Sequence, residues 1–115
     1  MDFEKWLSNQ LEKITDEAIV AFNFNLYEEE DEGSFSAQLV GCPHFDEANE
    51  DWACRVVFSS GEDLFGFRSN DWEDALNEFI EELKRYIKNN PNSELQKNKR
   101  RIAVGFVDGD LEIVV

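Results

Sequence analysis

The chain has 115 residues, 26 Asp+Glu against 11 Lys+Arg, a formal net charge of −15, and ten Phe with three Trp. The aromatic content excludes a disordered acidic tail, and the length fits one domain, 1–115, since domains run from about 50 to 250 residues. The charge excludes nucleic acid and anionic lipid as direct partners, because both carry negative fields.

Residues 2–17 carry an apolar stripe at Phe3, Leu7, Leu11 and Ile14 with Trp6 beside it, which predicts a helix. Asp2 and Glu4 fall in its first turn, where the helix dipole favours acids. The period then drops to two. In "IVAFNFNLY", Val20, Phe22, Phe24 and Leu26 alternate with Ala21, Asn23 and Asn25, which predicts a half-buried strand. "SFSAQLVG" resumes the alternation through Phe35, Ala37 and Leu39, so the two strands form a hairpin around Gly33. "CPHFDEANED", 42–51, reads as a loop broken by Pro43.

"WACRVVFSS" reads as a third strand with Trp52, Cys54, Val56 and Phe58 on one face, and "LFGFRS" as a short fourth. "NDWEDALNEFIEELKRYIKNN" is the strongest helix. Its stripe is Trp72, Leu76, Phe79, Ile80, Leu83 and Ile87, Asn70 is placed to cap it, and Glu73 to complete a capping box. "PNSELQKNKR" is a polar connection, expected to be mobile. The end, "RIAVGFVDGDLEIVV", reads as two strands joined by a tight type I′ turn at Asp108-Gly109. The expected fold is α+β in the order αββββαββ, a mainly antiparallel sheet with two helices on one face.

No stretch approaches the roughly 20 apolar residues that span a bilayer, and Met1-Asp2-Phe3-Glu4 opens without a secretory core, so a cytoplasmic protein is expected. In that compartment Cys42 and Cys54 are expected to be free thiols. Cys42 and the single histidine, His44, lack the orienting third group that a nucleophile pair needs. Zinc on Cys42, His44 and Cys54 with Asp46 or Asp51 matches no standard spacing, and no acidic run has the glycine-centred pattern of a calcium loop. The sequence thus points away from an enzyme and implies no cofactor. A small metal- or ligand-binding domain using residues 42–54 stays as an alternative.

The charge is uneven. Residues 1–83 hold 22 acids and 4 bases, and residues 84–115 hold 4 acids and 7 bases. Three acidic clusters sit at turns, loops or helix starts, where function concentrates. They are Glu28, Glu29, Glu30, Asp31 and Glu32; Asp46, Glu47, Glu50 and Asp51; and Asp71, Glu73 and Asp74. Gathering like charge costs stability by self-repulsion, which a basic partner offsets while being steered in electrostatically. Tyr27, Phe45, Trp52 and Trp72, beside these acids, are candidate aromatic anchors of a binding surface; Trp52 and Trp72 also fall on apolar stripes, where the core reading is the stronger, so Tyr27 and Phe45 are the better candidates.

A small acidic α+β chain of this kind resembles the immunity proteins of bacterial polymorphic and contact-dependent toxin systems. The resemblance lies in size, charge and architecture over the whole chain. It implies a protein that neutralises a basic toxin domain, often a nuclease, by covering its active site or its nucleic-acid surface. An acidic adaptor or a nucleic-acid mimic has the same sequence signature. The expected assembly is a monomer or a weak homodimer, the terminal "LEIVV" offering a sheet edge.

Overall fold

The computed structural model describes residues 3–115, so the start of the first helix at Asp2 lies outside the described residues. Helix α1 (Phe3–Glu12) is followed by strands β1 (Ala21–Glu28) and β2 (Ser34–Cys42). A 3₁₀ helix (Glu50–Cys54) and the short strands β3 (Phe58–Ser59) and β4 (Phe65–Arg68) come next. Helix α2 (Trp72–Asn89), a second 3₁₀ helix (Glu94–Lys99), β5 (Arg101–Phe106) and β6 (Glu112–Ile113) complete the chain. The fold is α+β, with a Cα radius of gyration of 13.2 Å, close to the value of about 13 Å for a single compact domain of this length.

The hairpin forms as its alternation predicts: β1 pairs antiparallel with β2 from Ala21↔Cys42 to Glu28↔Phe35. Gly33, at φ +80°, supplies the left-handed turn residue. The sheet order is β3-β2-β1-β5-β6, with β4 sharing the outer edge of β2 beside β3. The expectation of a mainly antiparallel sheet needs one correction. β5 runs parallel to β1, from Ala21↔Arg101 to Leu26↔Phe106, so the sheet is mixed.

The two faces of this sheet have different covers. Phe22, Phe24, Leu26, Ala37, Leu39, Ile102 and Val104 point into one large core with Phe3, Trp6, Leu7 and Leu11 of α1 and Phe79, Leu83 and Tyr86 of α2. Both α-helices therefore pack on one face, as expected. On the opposite face Ala21, Val40, Cys42 and Ala103 form a smaller cluster capped by Trp52, with Phe45, Ala53 and Leu111 around it.

That second cluster explains the largest departure from the sequence reading. "WACRVVFSS" is not a long strand. Asn49 caps the 3₁₀ helix by accepting a hydrogen bond from the Asp51 amide, and Trp52 drops onto the sheet, 5% exposed. Cys54 and Val56, expected to share its buried face, are exposed. Burial of one indole outweighs the strand preference of Val56 and Val57, a tertiary effect of the kind that makes strand propensity context-dependent.

Smaller departures have local causes. α1 stops at Glu12 rather than residue 17, because the Ile14-Thr15 pair is β-branched and Asp16 accepts a hydrogen bond from the Ala18 amide, a competitor of the helical ladder. Val20 lies outside β1 and is exposed, while Ile19 takes the buried place, packed over Gly41. The connection 91–100 is not a loose polar tether. Leu95 is fully buried, and the Arg100 guanidinium is sealed in by the Ile19 and Glu94 carbonyls and the Glu94 carboxylate.

At the end of the chain, no type I′ turn forms. Neither Asp108 nor Gly109 has the positive φ that such a turn requires. The Gly109 amide bonds to the Phe106 carbonyl instead, and a five-residue loop, 107–111, folds back over the sheet. Gly105 permits this: a Cβ there would lie 2.6 Å from the Asp110 carbonyl oxygen.

Candidate functional site

The three acidic clusters are best located from the strands and helix that carry them. Glu28 ends β1, and Glu29–Glu32 form the tip of the β1–β2 hairpin, all exposed. The tip is not loose. Arg68, on β4, donates to the Ser34 hydroxyl at 2.8 Å and to the Glu32 carbonyl at 2.9 Å, and Ser36 donates to the Glu29 carboxylate at 2.8 Å. The Ser69 amide then bonds to the Gly33 carbonyl, which brings the start of α2 beside the tip.

Asp71, rather than Asn70 with Glu73, caps α2: its carboxylate accepts from the Asp74 amide at 2.9 Å. An aspartate two residues after the Ser69–Gly33 contact is closer to the first helical amides than Asn70, whose side chain instead donates to the Asp74 carboxylate. Two of the clusters therefore share one end of the molecule. The turn after β5 adds Asp108 and Asp110 to that end, because β5 runs parallel to β1 and both strands finish there. Ten exposed carboxylates, from Glu28–Glu32, Asp71, Glu73, Asp74, Asp108 and Asp110, lie at that end, where Arg68 is bonded to the hairpin tip.

Between the carboxyl ends of β1 and β5 and the first turns of α2 lies a cleft of about 480 Å³. Leu26, Tyr27, Leu76, Phe106 and Val107 line it together with Glu28, Asp108 and Asp110. Trp72 stands in its wall. The sequence reading placed this tryptophan in the core; it is 53% exposed, because the first helical position of α2 projects past the end of the sheet. Its ring meets that of Phe106 at 88°, centroids 6.3 Å apart. Tyr27, the expected anchor, is half-buried, and its hydroxyl donates to Gln38 at 3.1 Å.

The remaining cluster has a different occupation. Asp46, Glu47, Glu50 and Asp51 are exposed on segment 43–54, which lies across the second face. Asp46 accepts from the Ala48 amide, Glu47 meets Arg101 at 3.4 Å, and the Glu50 carboxylate accepts from the Leu111 amide at 3.0 Å. Phe45 is wedged between Trp52, at 5.1 Å, and the Arg101 guanidinium, at 4.5 Å from its ring. These residues fasten a cover to the sheet.

The same segment was the alternative metal site. Cys42 is buried beneath it, whereas His44 and Cys54 are exposed, and both thiols are free. Among the described residues, no group of three or more His, Cys, Asp or Glu side chains is gathered as metal ligands are. Burial, with the neighbouring Cys54 second, pushes the Cys42 thiol up to about 11, away from the thiolate that a ligand or nucleophile requires.

Cleft residues that the sequence reading did not select are Trp72, Leu76, Phe106, Val107, Asp108 and Asp110. Trp72 and Leu76 fall on the α2 stripe, and the signal for the rest is the Asp-Gly-Asp run following an apolar strand, which the expected hairpin turn had absorbed. Compared with family models, with curated proteins and with solved structures, the chain has no significant match. No helix among the described residues is long and apolar enough to cross a membrane.

Proposed function

We propose that this chain is a non-enzymatic binding protein of the cytoplasm that neutralises a cationic protein, a nuclease toxin domain being the kind of partner that its resemblance to immunity proteins implies. One observation carries the reading: carboxylates from three separate segments converge around an open aromatic cleft at one end of the molecule. A nuclease must present Lys and Arg to hold phosphates, and a carboxylate surface competes for those same groups. The cleft adds what charge alone lacks, an apolar centre inside a charged rim, the usual anatomy of an interface hot spot.

Three cations near the start of β5 are held by contacts of their own, which favours the same direction of approach. Arg100 and Arg101 are committed to internal contacts, and Lys97 is tied to Glu17. The carboxyl end of the sheet keeps a net negative field despite Arg68, which steers a basic partner to that end.

The test is co-purification of a basic protein at low salt, followed by assay of that protein's nuclease activity with and without the chain. The expected result is inhibition at equimolar ratio and association that slows by about tenfold or more when Glu29, Glu30 and Asp31 are changed to Lys. Association that is indifferent both to salt and to this charge reversal defeats the proposal.

A further inference from the structure

The cleft at the sheet's end has a chemistry narrower than attraction for positive charge. Trp72 keeps more than half of its surface open although it is the largest side chain in the wall, and Val107 opposite is 56% exposed. The ring of Phe106 meets the indole near a right angle, so the two do not stack face to face. Glu28, Asp108 and Asp110 line the same cavity. An exposed indole beside several carboxylates suits a planar cation whose rim donates hydrogen bonds and whose face tolerates an aromatic ring. Guanidinium has both properties, whereas ammonium donates hydrogen bonds but is compact and strongly hydrated and has no planar face to lay on the ring.

We propose that this cleft receives an arginine side chain carried by the protein partner. The guanidinium lies against the Trp72 indole, its N–H groups are accepted by the carboxylates of Glu28, Asp108 and Asp110, and the residue flanking the arginine rests on Val107. The proposal rests on the reading of the chain as a binder of cationic protein and names the group that is recognised. A protein segment, rather than a free small molecule, is the occupant because the cleft opens onto the hairpin tip and the start of α2, whose carboxylates extend the negative surface well past one side chain. The cavity of about 480 Å³ also exceeds what a single guanidinium fills.

The test uses fluorescein-labelled hexa-arginine and hexa-lysine, equal in charge, titrated with the full chain at about 0.15 M salt and read by anisotropy. The wild-type chain is expected to bind hexa-arginine about threefold to tenfold more tightly than hexa-lysine. Trp72→Ala is expected to abolish that preference while leaving hexa-lysine affinity within about twofold, since lysine gains little from the indole. Val107→Lys, at an exposed position, places a competing cation at the mouth and is expected to erase the preference as well; circular dichroism verifies that each variant is folded. Equal affinity of the wild-type chain for the two peptides, or an arginine preference that survives both variants, overturns the arginine cleft. Salt-sensitive binding of both peptides in that case still supports the broader reading, whereas failure of the wild-type chain to bind either peptide removes both.

Discussion

The two faces of the central strand β1 are solved by different means. Phe22, Phe24 and Leu26 point to the helices and are fully buried in a continuous aromatic and aliphatic core. One residue out of step, Asn23, Asn25 and Tyr27 point the other way and form a chain of amide and hydroxyl contacts with Gln38, Asn23 buried and Asn25 and Tyr27 half-buried. The first face is held by area removed from water. The second is held by one indole and a few specific bonds, Glu50 to the Leu111 amide among them. Stability is concentrated in the helix-covered face, and the acidic segment on the other face is fastened to it as an accessory.

That contrast has measurable consequences. Phe24→Ala empties a site packed against Phe79 at 5.3 Å and is expected to cost about 3–5 kcal/mol, read by denaturant unfolding. Trp52→Ala is expected to cost less, about 3 kcal/mol, since a short 3₁₀ cover over a small cluster relaxes more readily than the centre of the large core. Its signature is local: amide exchange in residues 50–54 accelerates while β1 stays protected. Equal costs for the two truncations, or uniform loss of protection, contradict the division into principal and accessory faces.

Gly105→Ala probes the contact that folds the 107–111 loop over the second face. The added methyl meets a backbone carbonyl oxygen rather than a flexible tip, so the loop must shift, at a cost of about 1–3 kcal/mol. The same shift moves Asp110, and a weaker affinity for a basic ligand is expected to accompany it.

The smallest effect concerns the thiols. Cys54 is exposed and is expected to react with a thiol reagent at neutral pH, whereas Cys42 reacts only on unfolding. Burial holds the Cys42 thiol neutral up to about 11, against 9.0 for an ordinary thiol. The folded state thus favours the protonated form. Its contribution to stability is complete below pH 9.0 and is lost as pH rises through about 11, which urea midpoints over that range measure.

Much of this architecture was legible from local pattern. Period two in 20–26 and 35–39 marked the hairpin, and the stripe of Phe79, Ile80, Leu83 and Ile87 marked α2, because each element presents a face that must be buried. The candidate site was legible only in its charge. Of the anchors expected beside the acids, Phe45 serves the cover of the sheet and Tyr27 only borders the cleft, while Trp72, assigned to the core by its place on the stripe, supplies the open aromatic wall. A stripe tells which side of a helix is apolar; it does not tell where along the helix the partner surface ends.

The sequence by itself determined the α+β class, the hairpin with its acidic tip, the long amphipathic helix and the excess of carboxylates, since each follows from neighbours within a few residues. Tertiary structure alone decided that β5 lies parallel to β1, that Trp52 plugs the second face through a 3₁₀ turn, and that Asp108 and Asp110 come to rest beside Glu28 and Trp72. Those outcomes depend on which distant surfaces are free to be covered, and a short-range pattern of side chains carries no record of that competition.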